Sequence, residues 1–292
     1  MKTFLYTVMA LLAFAANSVL CRLALSDEAI DAASFTSVRL VSGILMLVVI
    51  LFCAQSRQKL ESNGNRLAQK GSWHASLYLF VYAAAFSFAY VSLETGVGAL
   101  VLFGAVQVTM IIAGLLKGSR LLTTEWLGVV LAFLGFVYLV WPNLGTPSAL
   151  GFFLMTLSGV AWALYTLAGT HSKQALVDTT FNFVRTLPLV IVLILVCLKD
   201  AQLTLYGVML AMLSGAFASG LGYAVWYLAL AGLTGVQAGV VQLLVPVIAA
   251  VGGLVFAGEE VSLRLMVSSV VILGGIALVI WGRHTLKRSA ND

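Results

Sequence analysis

Arg39 and Arg185 close the same short pattern, Phe35-x-x-Val38-Arg39 and Phe181-x-x-Val184-Arg185, and each lies inside a long apolar run. An ionisable side chain at membrane depth costs a few kcal/mol or more, so it needs a partner or a task. Two readings fit. The guanidinium draws an anionic or zwitterionic solute into a vestibule, or it snorkels and bonds to carbonyls of a neighbouring helix. Asn17 and Tyr165 occupy corresponding places in two other runs, 148 residues apart, and Gln107, Gln242 and Tyr223 add hydrogen-bonding groups deep in further runs. Tyr82, Trp162 and Trp226 offer broad faces to apolar, aromatic or cationic solutes. Apolar walls with a few polar anchors suit reversible binding of a small amphiphile. The same residue types also make interfacial belts and interhelical contacts.

Catalytic chemistry finds no such constellation. The acids and the three histidines, His74, His171 and His284, fall at or beyond the ends of the apolar runs, with no Asp-rich metal motif and no His–acid pair. Cys21, Cys53 and Cys197 lack C-x-x-C spacing, so neither a zinc site nor a disulfide framework is indicated. The expectation is no catalytic residue, no metal and no cofactor.

The elements that must position these residues follow from composition. Of 292 residues, 61% are hydrophobic and 9% charged, against about 45–50% and about 25% in a soluble domain. Water-soluble and disordered chains are both excluded. Apolar runs lie at 4–24, 32–54, 75–93, 96–116 and 123–141, then at 149–169, 178–198, 205–231, 235–257 and 263–282. A transmembrane helix needs about 20 such residues. The breaks carry turn chemistry, as at Ser26-Asp27-Glu28, Pro142-Asn143-Leu144-Gly145 and Lys199-Asp200. Barrel strands would be about 10 residues long and strictly alternating, which these runs are not. The fold class is all-α, a polytopic membrane protein of ten helices. Pro188 and Pro246 remove backbone donors and should kink their helices.

With a cytoplasmic N-terminus, the inside segments hold Lys2, Arg57, Lys59, Arg66, Lys70, Lys117, Arg120, Lys173, Arg283, Lys287 and Arg288, and the outside ones only Lys199 and Arg264. This positive-inside bias puts both termini in the cytoplasm. The net charge of +5 therefore points to anionic headgroups, not to nucleic acid. Arg22, near the outer boundary, reads most simply as a snorkelling side chain. The first apolar run reads as an uncleaved span rather than a signal peptide, because its basic region is thin and the repeat below needs it.

Residues 98–141 overlay on 238–281 without a gap, matching Val101 with Val241, Gly118 with Gly258, Gly135 with Gly275 and Trp141 with Trp281. Tyr90-x-x-Leu93 with Gly96-Val97-x-Ala99 recurs as Tyr227-x-x-Leu230 with Gly235-Val236-x-Ala238. The single transmembrane domain 1–292 thus divides into five-helix repeats, 1–142 and 143–292. Five is odd, so the second repeat enters the membrane from the opposite side. Inverted repeats place a central cavity near the midplane and can expose it to either side in turn, which is the logic of a transporter.

Two five-helix halves, Asn17 in the first span, Phe-x-x-Val-Arg in the second, Trp162-Ala-x-Tyr165 in the sixth and the Pro246…Gly258-Glu259 run resemble the EamA branch of the drug/metabolite transporter superfamily. The chain departs from that pattern at Phe14-Ala15, at Val106 opposite Pro246 and at Lys117-Gly-Ser-Arg120. The resemblance implies a multi-pass carrier in a bacterial plasma (inner) membrane that exports small organic metabolites, amino acids including aromatic ones first. A multidrug or lipophilic-cation exporter and a small-solute channel are the alternatives. Partners are then a small-molecule substrate and membrane lipid, not nucleic acid, and a monomer suffices because one chain supplies both halves of a cavity. Without a titrating group at the span centres, transport is expected to be uncoupled.

Overall fold

The computed structural model is all-helical and describes residues 2–26, 28–58, 71–116, 123–140, 148–169, 174–230, 232–233 and 241–289. In chain order the helices are α1 Lys2–Ser26, α2 Ala32–Gln58, α3 Trp73–Tyr90, α4 Thr95–Leu116, α5 Thr123–Val140, α6 Ala149–Gly169, α7 Ala175–Val184 and α8 Leu187–Cys197. They continue as α9 Leu205–Leu213, a π-helical segment Ser214–Leu221, α10 Gly222–Leu230, α11 Val245–Phe256 and α12 Leu263–Ser289. The Pro142–Gly145 turn, the Gly235…Ala238 match, Gly118, Trp141 and the loop cations Lys59, Arg66, Lys70, Lys117, Arg120 and Lys173 lie outside the described residues.

Among the described residues six segments are long and apolar enough to cross a membrane: Lys2–Ser26, Ala32–Ala54, Thr95–Leu116, Ala149–Gly169, Leu176–Asp200 and Leu205–Trp226. Trp126–Leu139, Val245–Phe256 and Leu263–Leu278 are shorter apolar helices. The chain is a multi-pass membrane protein. Its outward faces carry Phe4, Phe52, Leu195, Val196 and Phe256, each more than two-thirds exposed, an arrangement that water would penalise and hydrocarbon would not. The interior, by contrast, holds serines, threonines, Asn17 and Arg39.

The prolines act differently from a mid-helix kink. Pro188 and Pro246 each lie in the first turn of a helix, α8 and α11, after turns at Arg185-Thr186 and Leu243-Leu244. A first-turn N–H has no helical partner to lose, so the chain breaks before the proline and restarts on it.

α3 packs along α6, while α1 packs along α9, the π segment and α10. α2 crosses the π segment and α7 to α9, α4 lies between α6 and α11, and α5 pairs with α12. Gly215 allows the closest of these approaches, since a Cβ there would run into the Arg39 carbonyl and the Ser42 hydroxyl.

The two ends of the bundle are tied by hydrogen bonds to the backbone that enters a helix. At one end Gln202 N donates to Asp31 Oδ2 at 2.9 Å, Asp31 N donates to Gln202 O at 3.1 Å, and Thr204 donates to Ala29 O from both N and Oγ1. Asp31 Oδ1 also accepts from Ala33 N and Ser34 N, capping α2. At the other end Gly71 N donates to Asp178 Oδ1 at 2.9 Å and Ser72 N to Asn182 Oδ1 at 2.8 Å. Ser72 caps α3 through Ala75 N, as Thr204 caps α9 through Gly207 N.

Candidate functional site

Near the middle of the bundle six elements leave a cavity. α1 contributes Phe14, Asn17 and Ser18, and α3 contributes Tyr82 and Phe86. α4 adds Leu102 and Phe103, α6 Trp162, the π segment Ala218 and α10 Tyr223. The spacings 14, 17, 18 and 82, 86 are those of one helix face, which is why these side chains converge. The cavity measures about 340 Å3 including its open mouth, but the centre of a water molecule can occupy only about 20 Å3 of it. That is room for about one ordered water. In this conformation the site has no room for a larger guest.

Aromatic rings fill the space. The Tyr82 and Trp162 centroids lie 4.8 Å apart, Trp162 and Tyr223 4.9 Å, Phe14 and Trp226 5.6 Å, and Phe14 and Tyr223 6.0 Å. Their tilted and edge-on arrangements suit ring quadrupoles. Polar atoms are few. Asn17 Oδ1 accepts from Ser214 Oγ at 2.6 Å, and Ser158 Oγ donates to the Tyr82 carbonyl at 3.0 Å, tying α6 to α3. The Tyr223 hydroxyl has no hydrogen-bond partner among the described residues.

Arg39 is 2% exposed and is the largest fully buried side chain. Its Nε donates to Ser219 Oγ at 3.2 Å and its Nη2 to Tyr82 Oη at 3.0 Å. The guanidinium carbon lies 5.2 Å from the Tyr82 ring centroid and 4.8 Å from that of Phe86, so it packs against two walls of the cavity. Ser214 and Ser219 serve Asn17 and Arg39 from positions five residues apart. An α-helix would point them well away from each other, whereas i→i+5 winding brings them close to one face.

The ten residues singled out in the sequence meet only in part. Asn17, Tyr82, Trp162 and Tyr223 line the cavity. Trp226 stacks behind Phe14, Tyr165 lies 5.7 Å from Trp162, and Arg39 backs Tyr82 and Phe86. Three are elsewhere. Arg185 sits at the α7–α8 break with its guanidinium over the Trp73 ring at 5.7 Å, at the end of the bundle where Gly71 meets Asp178. Gln107 is buried on α4 outside the cavity lining, and Gln242 is half-buried just before α11. Residue type marked them as deep polar groups, but helix phase decided where they faced. Phe14 stands out in the sequence only as a departure from the family pattern, Ser18 is one small hydroxyl among many, and Phe86, Leu102, Phe103 and Ala218, apolar residues in apolar helices, carry no signal of their own.

Arg22 does not snorkel. Its Nε pairs with Glu259 Oε1 at 3.0 Å and its Nη1 donates to Tyr90 O at 3.1 Å. Glu259 also accepts from Thr95 N, at 2.8 Å to Oε2, so one carboxylate joins α1, the start of α4 and the end of α11. Gly258 makes this possible. With φ +62° it takes the left-handed turn after α11, Glu259 N returns to Gly253 O at 3.1 Å, and the carboxylate is carried back over the bundle. Beside it, in the α3–α4 turn, Glu94 is raised above the usual carboxylate range, first by burial and then by the Glu259 charge. Burial also pushes the Asp31 carboxyl up. The bonds from Ser34, Gln202 and Ala33 outweigh it, and the net shift is downward.

Comparison with known proteins agrees with this architecture. Residues 149–281 match the EamA-like transporter family. The whole chain is 48% identical over 291 residues to the uncharacterized protein PA1977 of Pseudomonas aeruginosa, spanning 100% of this chain and 98% of that one. An uncharacterized transporter of Archaeoglobus fulgidus is 27% identical over 210 residues, 68% of this chain and 73% of that one. A solved protein structure superposes with a TM-score of 0.62 at 17% identity, covering 95% of this chain and 96% of its own.

Proposed function

The chain belongs to the EamA-like transporter family and is a membrane transporter; from that premise we propose that it moves small organic metabolites, amino acids including aromatic ones first, by alternating access through the aromatic-walled cavity. The observation that carries this is the cavity itself: Phe14, Tyr82, Trp162 and Tyr223 meet at mid-bundle around space for about one water. A cargo of amino-acid size enters only if the helices part. A carrier needs such a step and a permanently open pore does not.

The helices work as two inverted five-helix halves, 1–142 and 143–292. The clasps support this. α2 runs from the Asp31 end to the Gly71 end and α7–α8 runs back, while α3 starts at Gly71 and α9 starts at the opposite end. The partner pattern is also reciprocal: α3 packs on α6 as α1 packs on α9 and α10, and α5 meets α12 as α4 meets α11. Exchanging these contacts between halves would close one end as the other opens. The charge bias places the N- and C-termini in the cytoplasm of a bacterial-type cell and the chain in its inner membrane. One copy supplies the whole cavity.

Reconstituted vesicles test the proposal. Labelled aromatic amino acids should show saturable flux and counterflow, and Trp162→Ala and Asn17→Ala should each lower it about tenfold while both variants still insert and fold. That is the loss expected for one good cavity contact. Flux that never saturates indicates a channel, and unchanged kinetics in both variants remove the cavity from the pathway. Transport is uncoupled, so an imposed pH gradient should not drive accumulation. Gradient-driven accumulation would overturn that part.

A further inference from the structure

Arg39 keeps its full charge wherever it is placed, because a guanidinium does not deprotonate in a protein. A buried ion without a counter-ion carries a desolvation cost of several kcal/mol. Yet every group that touches this one is neutral: Ser219 Oγ, Tyr82 Oη and two ring faces. Nη1 has no hydrogen-bond partner among the described residues. The Arg22–Glu259 ion pair lies elsewhere. No acid appears among the described residues that line the cavity. The site therefore holds an unanswered positive charge behind an aromatic wall and offers no carboxylate to a cationic guest.

We propose that Arg39 is the anchor for a carboxylate on the cargo, and that the transported class is small organic acids and amino acids with an apolar or aromatic body, to the exclusion of lipophilic cations. The proposal rests on the reading of this cavity as the transport site. The guanidinium fork matches a carboxylate with two parallel donors. Nη1 is free, and Nη2 is held only by a neutral phenol hydroxyl, which an incoming anion displaces. The rings of Tyr82, Trp162 and Tyr223 then cover the apolar body. An amino group is tolerated over those faces as a cation–π contact, but the carboxylate is the charge that binding requires.

Three probes with one ring separate these demands: 3-phenylpropionate, its neutral amide, and phenethylamine, with phenylalanine as the fourth. Binding is read on detergent-solubilised full-length protein by quenching of tryptophan fluorescence. The acid and phenylalanine should bind at least about tenfold tighter than the amide, the increment of one charge-assisted hydrogen bond, and phenethylamine should not compete. Arg39→Gln should erase the preference for acid over amide, and Arg39→Lys should restore part of it. The comparison of acid with amide uses unmodified protein, so it stands if a variant fails to fold. Equal binding of acid, amide and amine, lost in Trp162→Ala and unaffected in Arg39→Gln, overturns the anchor and leaves the cavity reading intact. Binding of all four probes unaffected by Trp162→Ala, Asn17→Ala and Arg39→Gln alike overturns both.

Discussion

The two ends of the bundle are built from the same device and differ in what is added to it. At the Gly71 end, Asp178 and Asn182 on α7 hold the backbone that precedes α3. At the opposite end, Asp31 ahead of α2 holds the backbone that precedes α9. Each is a side-chain acceptor gripping a loop N–H more than 100 residues away in the chain, and each leaves a capped helix behind it. The Asp31 end carries in addition the Arg22–Glu259 ion pair, with Glu259 joining Arg22 to Thr95. The difference teaches that each clasp grips the backbone entering a helix, whereas the ion pair joins the ends of three helices. α1 and α4 carry cavity residues and α11 packs on both, so the ion pair is the contact expected to hold this end of the cavity shut.

That contrast can be broken first at the ion pair. Arg22→Ala leaves the Glu259 carboxylate, 11% exposed, without its cation. A loss of about 2–3 kcal/mol is expected, below the range for a fully buried pair because both partners retain some solvent. Thermal unfolding in detergent reads it. In a background free of the three native cysteines, Ser18→Cys should also become several-fold more reactive towards an impermeant thiol reagent when Arg22→Ala is added. Unchanged reactivity would mean that the ion pair does not close this end.

The opposite end should respond less. Asn182→Ala removes the acceptor for Ser72 N and should cost about 1–2 kcal/mol, with no change in Ser18→Cys labelling from the Glu259 end. If it increased that labelling as much as Arg22→Ala does, the two ends would not be separable and the contrast would fail.

The smallest effect sharpens the comparison of the clasps themselves. The Asp31 carboxyl is held below its ordinary value, so its bonds contribute stability that is present above the normal Asp range of about 3.9 and lost as pH falls through the depressed value. Acid titration of thermal stability should show this loss, and Asp31→Asn should flatten the slope there. A slope unchanged in Asp31→Asn would assign the acid sensitivity to another carboxylate.

Much of the helical frame was legible from apolar run length, because a segment that must satisfy its own backbone in lipid has few alternatives to a helix. Four of the candidate cavity residues, Asn17, Tyr82, Trp162 and Tyr223, were also legible, since polar or amphipathic side chains stand out against apolar neighbours. Gln107, Gln242 and Arg185 stood out equally and face other surroundings. Their type reports depth, whereas the direction they face depends on how each helix is rotated against its neighbours.

Sequence by itself determined that this chain lives in lipid, roughly where it turns, and that its halves carry related patterns. These follow from transfer free energies that sum locally along the chain. Tertiary structure alone decided the rest. Arg22 found Glu259 across 237 residues, eight residues wound as a π-helix to aim Ser214 and Ser219 together, and an arginine in an apolar run was left charged and half-answered beside a ring of aromatics. Each of these depends on helix rotation and on contacts between distant segments, and no local property of the chain encodes either.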